Sequence, residues 1–85
     1  MSDTLSTTFE EAVANVRSKN PDDDTKLELY ALYKIATEGP CNVPRPKSFM
    51  GVRTKDTAKW DAWTSKNHLS SQDAKAKYVR LVNRL

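Results

Sequence analysis

Tyr30, Tyr33 and Lys34 stand at i, i+3 and i+4, so on one helix two aromatic rings and a cation can touch a common object. Tyrosine offers a flat face for a base and a hydroxyl that donates to phosphate. Lysine adds a compact compensating charge, so the trio suits a phosphorylated nucleotide. The same residues would also complete a wide core face, with both hydroxyls at its rim and the Lys34 stem snorkelling to water. The trio alone leaves both readings open. Trp60 and Trp63, three apart, have the spacing that anchors a helix into a core, and Lys59 beside them would project at the rim of a shallow basic mouth.

Catalysis and metal binding find little to work with. The chain has one cysteine, Cys41, and one histidine, His68, and neither has a visible partner at motif spacing. A loop thiol and a surface imidazole are the expectation, with no catalytic residue and no metal site. A single cysteine also excludes an intrachain disulfide and favours a reducing compartment, the cytoplasm.

Helical spacing supplies the elements that must position these side chains. Thr7 and Glu10 have capping-box spacing, and Phe9, Val13 and Val16 follow at i, i+4 and i+7, predicting a helix over 8–18. Asn20–Pro21 ends it, and Asp22, Asp23 and Asp24 sit where a second helix N-terminus stabilises carboxylates. That helix runs to Glu38, before Gly39–Pro40. On it Leu29, Leu32 and Ala36 gather on one side, with Leu27, Tyr30, Tyr33 and Lys34 set towards the other. Residues 39–53 hold both glycines and three of the four prolines and read as a long ordered loop. Thr54 or Asp56 caps a third helix through Trp60 and Trp63, fading near 66–68. Ser70 with Asp73 opens a fourth, in which Ala74, Tyr78, Leu81, Val82 and Leu85 keep helical spacing. No strand-like alternation occurs.

An 85-residue chain has apolar surface for one core, so a single domain spanning 1–85 is expected. No stretch has the length and apolarity of a membrane span, and neither a leader nor a lipidation motif is read at the termini. Any membrane contact would be transient. Net charge is +3 but uneven: residues 1–38 carry eight acids against four bases, and residues 39–85 carry three against ten. That asymmetry points to an anionic partner or to a solvated basic face. The bases form no stripe suited to a DNA groove, so nucleic acid is not expected. A partner helix on the second apolar face of helix 2 is a further alternative.

The blocks Tyr30-Ala31-Leu32-Tyr33-Lys34, Ala36-Thr37, Arg45-Pro46 and Lys59-Trp60-Asp61-Ala62-Trp63, with Ser70, Asp73-Ala74 and Tyr78, resemble the acyl-CoA-binding protein family in order and spacing. The resemblance implies an all-α, up-and-down four-helix bundle with a long loop between helices 2 and 3. It implies a monomeric, non-catalytic carrier of medium- to long-chain fatty acyl-CoA, without a cofactor. By motif position, Tyr30, Lys34 and Lys59 would meet the 3′-phosphate, and Tyr33 and Tyr78 would pack around the adenine. Arg17 would add a base from helix 1, and Leu27 would line the acyl groove. The chain departs from the family pattern by about two residues fewer between helices 1 and 2 and about three more between Pro46 and Trp60. The extra residues, near Phe49 to Lys55, would reshape the groove.

Overall fold

Two Thr-x-x-Glu pairs overlap at the start of the chain, and in the computed structural model, which describes residues 8–46 and 54–85, the second one closes. The Glu11 amide donates to Thr8 Oγ1 at 3.1 Å, and the Thr8 amide donates to Glu11 Oε1 at 2.8 Å. The box thus lies one residue later than Thr7–Glu10. β-branched Thr8 takes the extended N-cap conformation (φ −83, ψ 163), which suits it better than a place in the first helical turn. Helix α1 covers Phe9–Asn15 and tightens into a 3₁₀ turn at Val16–Ser18, where continuous α-helix was expected.

The three remaining helices are α2 (Asp23–Glu38), α3 (Lys55–Thr64) and α4 (Ser71–Arg84), and the described residues contain no strand. Each begins at a side-chain cap. Asp22 accepts from the Thr25 amide at 2.8 Å, and this bonding holds its carboxyl below the usual range. Thr54 and Thr57 exchange amide-to-hydroxyl bonds at 2.9 and 3.2 Å, and Ser70 Oγ accepts from Asp73 N at 3.1 Å. The fold class is the all-α, four-helix one read from the sequence, with turns at 65–68 where α3 was expected to fade. Of the long loop, residues 47–53 lie outside the described residues.

Helix α2 is the centre of the packing, lying against both α3 and α4, while α1 packs on α4. The core joins Ala12 of α1, Leu29, Leu32, Ile35 and Ala36 of α2, Trp63 of α3, and Ala74, Tyr78 and Val82 of α4. Because α2 has neighbours on two sides, Ala31 and Ile35 are also fully buried, which a single apolar stripe does not predict. Leu85, at the end of the expected α4 stripe, is exposed.

The segment after α2 is stitched onto α3. The Trp63 indole donates to the Gly39 carbonyl and the Trp60 indole to the Val43 carbonyl, both at 2.8 Å. Arg45 grips Asp61 through two nitrogens at 3.1 and 3.2 Å, and the Cys41 amide donates to Asn67 Oδ1 at 2.8 Å. Gly39 starts this path at φ +86, ψ −162, a region that only glycine adopts readily. A Cβ there would meet nothing within 4 Å, so Gly39→Ala should act through the backbone alone. The expected loss is about 1–3 kcal/mol, read from a urea midpoint. An unchanged midpoint would mean that the loop tolerates another path.

Candidate functional site

Three rings from three helices meet on one flank of α2. Phe9 stacks on Tyr33 with centroids 5.9 Å apart, meets Tyr78 edge-on at 5.1 Å, and Tyr33 and Tyr78 lie 6.4 Å apart. Tyr78 is buried, whereas Tyr33 is 40% exposed. Tyr33 therefore presents a ring to solvent with Tyr78 behind it. This places Tyr33 on the α1/α4 side and corrects the grouping of Tyr33 with Leu27, Tyr30 and Lys34. At 100° per residue Tyr33 stands only about 40° from Leu29, so it belongs beside the core stripe.

A cleft of about 470 Å³ opens next to these rings, between α2 and the connection from α1. Tyr30, Tyr33 and Tyr78 line it together with Val16, Leu29 and Pro21, and Lys19 and Lys26 supply its cations. Burial pushes the Tyr78 phenol above the ordinary tyrosine value. The fold thus favours the neutral form. Stability present below the unfolded-chain pKa, near 10, is lost as pH rises through the higher folded-state value. Tyr78→Phe should lose less stability than the wild type above about pH 10. Parallel declines of their urea midpoints would mean that burial does not hold this phenol neutral.

Tyr30 is also a wall of a second, smaller cleft of about 200 Å³ facing α3, shared with Lys59, Trp60, Trp63, Val43 and Pro46. Lys59 Nζ lies 5.5 Å from the centre of the Tyr30 ring, so a cation and a phenol reach one point from different helices. Lys34 Nζ sits 4.6 Å over the Trp63 ring and is ion-paired with Glu38 one turn along. The bond to Glu38 is the main cause holding its ammonium above the usual lysine value. Lys34 is therefore charged and anchored over Trp63, a wall of the same cleft, and an anion reaching it would compete with Glu38.

Residues 6–82 match the family described as Acyl CoA binding protein. The chain belongs to the acyl-CoA-binding protein family. The acyl-CoA-binding protein of Dictyostelium discoideum is 44% identical over 81 residues, covering 93% of each chain. That of Ricinus communis is 39% identical over 79 residues, covering 91% of this chain and 84% of its own. The crystal structure of Oryza sativa acyl-CoA-binding protein 2 superposes with a TM-score of 0.83 at 36% identity, over 96% of this chain and 89% of that one. Human enoyl-CoA delta isomerase 2 is 46% identical over 79 residues, and there this chain spans only 19% of the relative's length.

Within this acyl-CoA-binding fold, the residues named from sequence fall into two groups around Tyr30. Tyr33 and Tyr78 lie on one side of it, Lys59 and Lys34 on the other. Arg17 is exposed on the 3₁₀ turn, and Leu27 is half-buried early in α2; neither lines the two clefts. The longer stretch near Phe49 to Lys55 lies mostly outside the described residues. Sequence reasoning missed Phe9 as the third ring and Lys19 and Lys26 as the cleft's cations. Lys26 was findable, since it precedes Tyr30 by four and Tyr33 by seven and so shares their face.

Proposed function

We propose that this chain binds one medium- to long-chain fatty acyl-CoA ester at a time, at the two clefts that Tyr30 separates, and carries it through the cytoplasm chemically unaltered. The observation that carries the reading is the cleft shared by Tyr30, Lys59 and Trp63, where the Lys59 ammonium lies over the Tyr30 ring and the Lys34 ammonium over the Trp63 ring, in a chain matched to the family over residues 6–82.

The ligand explains why such a site needs two kinds of surface. Acyl-CoA joins a polyanionic nucleotide to an apolar tail, so a receptor needs cations and aromatic rings at one end and dry surface at the other. In this reading Tyr30, Lys34 and Lys59 hold the 3′-phosphate. The adenine stacks on the open face of Tyr33, which Tyr78 and Phe9 back. Arg17 and Leu27 lie outside both clefts and meet the ligand where it runs beyond them, Arg17 from the 3₁₀ turn and Leu27 along the acyl chain. Each sheltered methylene adds roughly 0.8 kcal/mol, so acyl length should dominate affinity while the nucleotide end sets selectivity for CoA.

The reading takes the chain as a monomeric single domain, 1–85, that is not an enzyme, needs no cofactor and does not bind nucleic acid. No helix of the described residues is long and apolar enough to cross a membrane. Native mass spectrometry with palmitoyl-CoA tests stoichiometry and chemistry together. One intact ligand per chain is expected. Two ligands per chain, or release of free CoA above the buffer background, would contradict a one-site carrier.

A further inference from the structure

One cavity larger than either Tyr30 cleft lies apart from them. It is a groove of about 660 Å³ between α2 and the C-terminal half of α4, and it shares no lining residue with either cleft. Its floor is the half-buried Leu81 over the fully buried Leu32, and its rim carries Lys77, Arg80 and Arg84. Glu28 is the one acid in the lining, and it is already paired with Lys66 at 2.9 Å.

The three rim cations are all exposed, and none pairs with a carboxylate among the described residues. Arg80 Nε reaches the Ala76 carbonyl of its own helix at 3.4 Å. Positions 77, 80 and 84 are spaced i, i+3 and i+7, so their side chains leave one face of α4. They span about 10 Å along the axis, which is the reach of carboxylates at the same spacing on a second helix. The groove is concave with an apolar floor. A flat bilayer would touch the rim and leave the floor empty, whereas the apolar ridge of a helix would fill it.

We propose that the α2/α4 groove docks an acidic amphipathic helix of a partner protein. Its apolar ridge lies on Leu81, above the buried Leu32, and its carboxylates face Lys77, Arg80 and Arg84. The charges steer the encounter and fix register, and the ridge supplies burial. Docking leaves the Tyr30 clefts open, so the surface works whether or not they are filled and does not depend on what they bind.

The test uses the full chain and a designed, fluorescein-labelled peptide of about 18 residues, with a leucine ridge flanked by glutamates at i, i+3 and i+7. Fluorescence anisotropy should show saturable binding that Arg80→Glu/Arg84→Glu weakens at least tenfold. Lys55→Glu, outside the groove, should leave it within about twofold, a change too small to matter on the affinity scale. Amide resonances of Leu32 and Leu81 should shift on titration while those of Tyr30 and Tyr33 stay put. Circular dichroism checks that the reversal variant folds; if it does not, Lys77→Gln/Arg80→Gln decides, with a several-fold weakening expected. Equal binding of a peptide of the same composition with glutamates on every face would overturn the proposal. So would binding to phosphatidylserine vesicles through these same residues when the peptide does not bind.

Discussion

Trp63→Ala is expected to cost about 3–5 kcal/mol of stability, a large share of the roughly 5–15 kcal/mol that holds a domain folded. The indole is 4% exposed and joins three things at once. It belongs to the core shared with α2 and α4, its Nε1 holds the Gly39 carbonyl at 2.8 Å, and its face lies 4.6 Å under the Lys34 ammonium. Truncation leaves a cavity, frees the start of the loop and removes the surface on which Lys34 rests. Trp63→Phe separates these effects. It keeps a ring under Lys34 but leaves the Gly39 carbonyl without its donor, at an expected cost of about 1–3 kcal/mol. Urea unfolding measures both. A loss below about 1 kcal/mol for the alanine variant would mean that the core closes over the gap.

Lys34→Ala should weaken palmitoyl-CoA and free CoA by about the same factor, roughly ten- to a hundredfold, because a charge-assisted contact to phosphate is worth about 1.5–3 kcal/mol. Equal factors matter, since a cation at the phosphate is indifferent to the tail. Lys34 is held by Glu38 in the unliganded protein, so binding must exchange a carboxylate for a phosphate. Glu38→Gln should therefore leave affinity unchanged or tighten it about two- to threefold, the size expected for an exposed ion pair. Raising salt should weaken the nucleotide contact and leave the tail's contribution nearly untouched. Unchanged CoA affinity in Lys34→Ala would reduce Lys34 to a structural role over Trp63.

Local signals carried most of the fold. Ser70 is an N-cap as the spacing predicts, Thr54 and not Asp56 caps α3, Asp22 is the one of three expected N-terminal carboxylates that caps α2, and Gly39 ends α2 at positive φ. Where two signals overlapped, spacing alone could not choose. Thr7–Glu10 and Thr8–Glu11 are equally good boxes on paper; the second closes, and Thr7 lies outside the described residues. The burial of Ala31 and Ile35 was not legible from one stripe, because a helix with neighbours on two sides buries two faces.

The site divides in the same way. The Lys34–Glu38 pair is an i, i+4 contact open to local reading. The meeting of Tyr30 with Lys59 and of Tyr33 with Phe9 and Tyr78 depends on how helices far apart in sequence pack, and no spacing rule reaches it. Family resemblance named four of those residues; the Phe9 ring emerged only from the packing.

Calorimetric titration of the purified protein with palmitoyl-CoA, octanoyl-CoA, free CoA and palmitate, below the ligands' micellar concentrations, decides whether this chain is a one-site acyl-CoA carrier. One-to-one binding is expected in the order palmitoyl-CoA, octanoyl-CoA, CoA, with the eight extra carbons of palmitoyl-CoA worth at most about 6 kcal/mol and palmitate far weaker than its CoA ester. Palmitate binding as tightly as palmitoyl-CoA, or no binding of either ester, would contradict it.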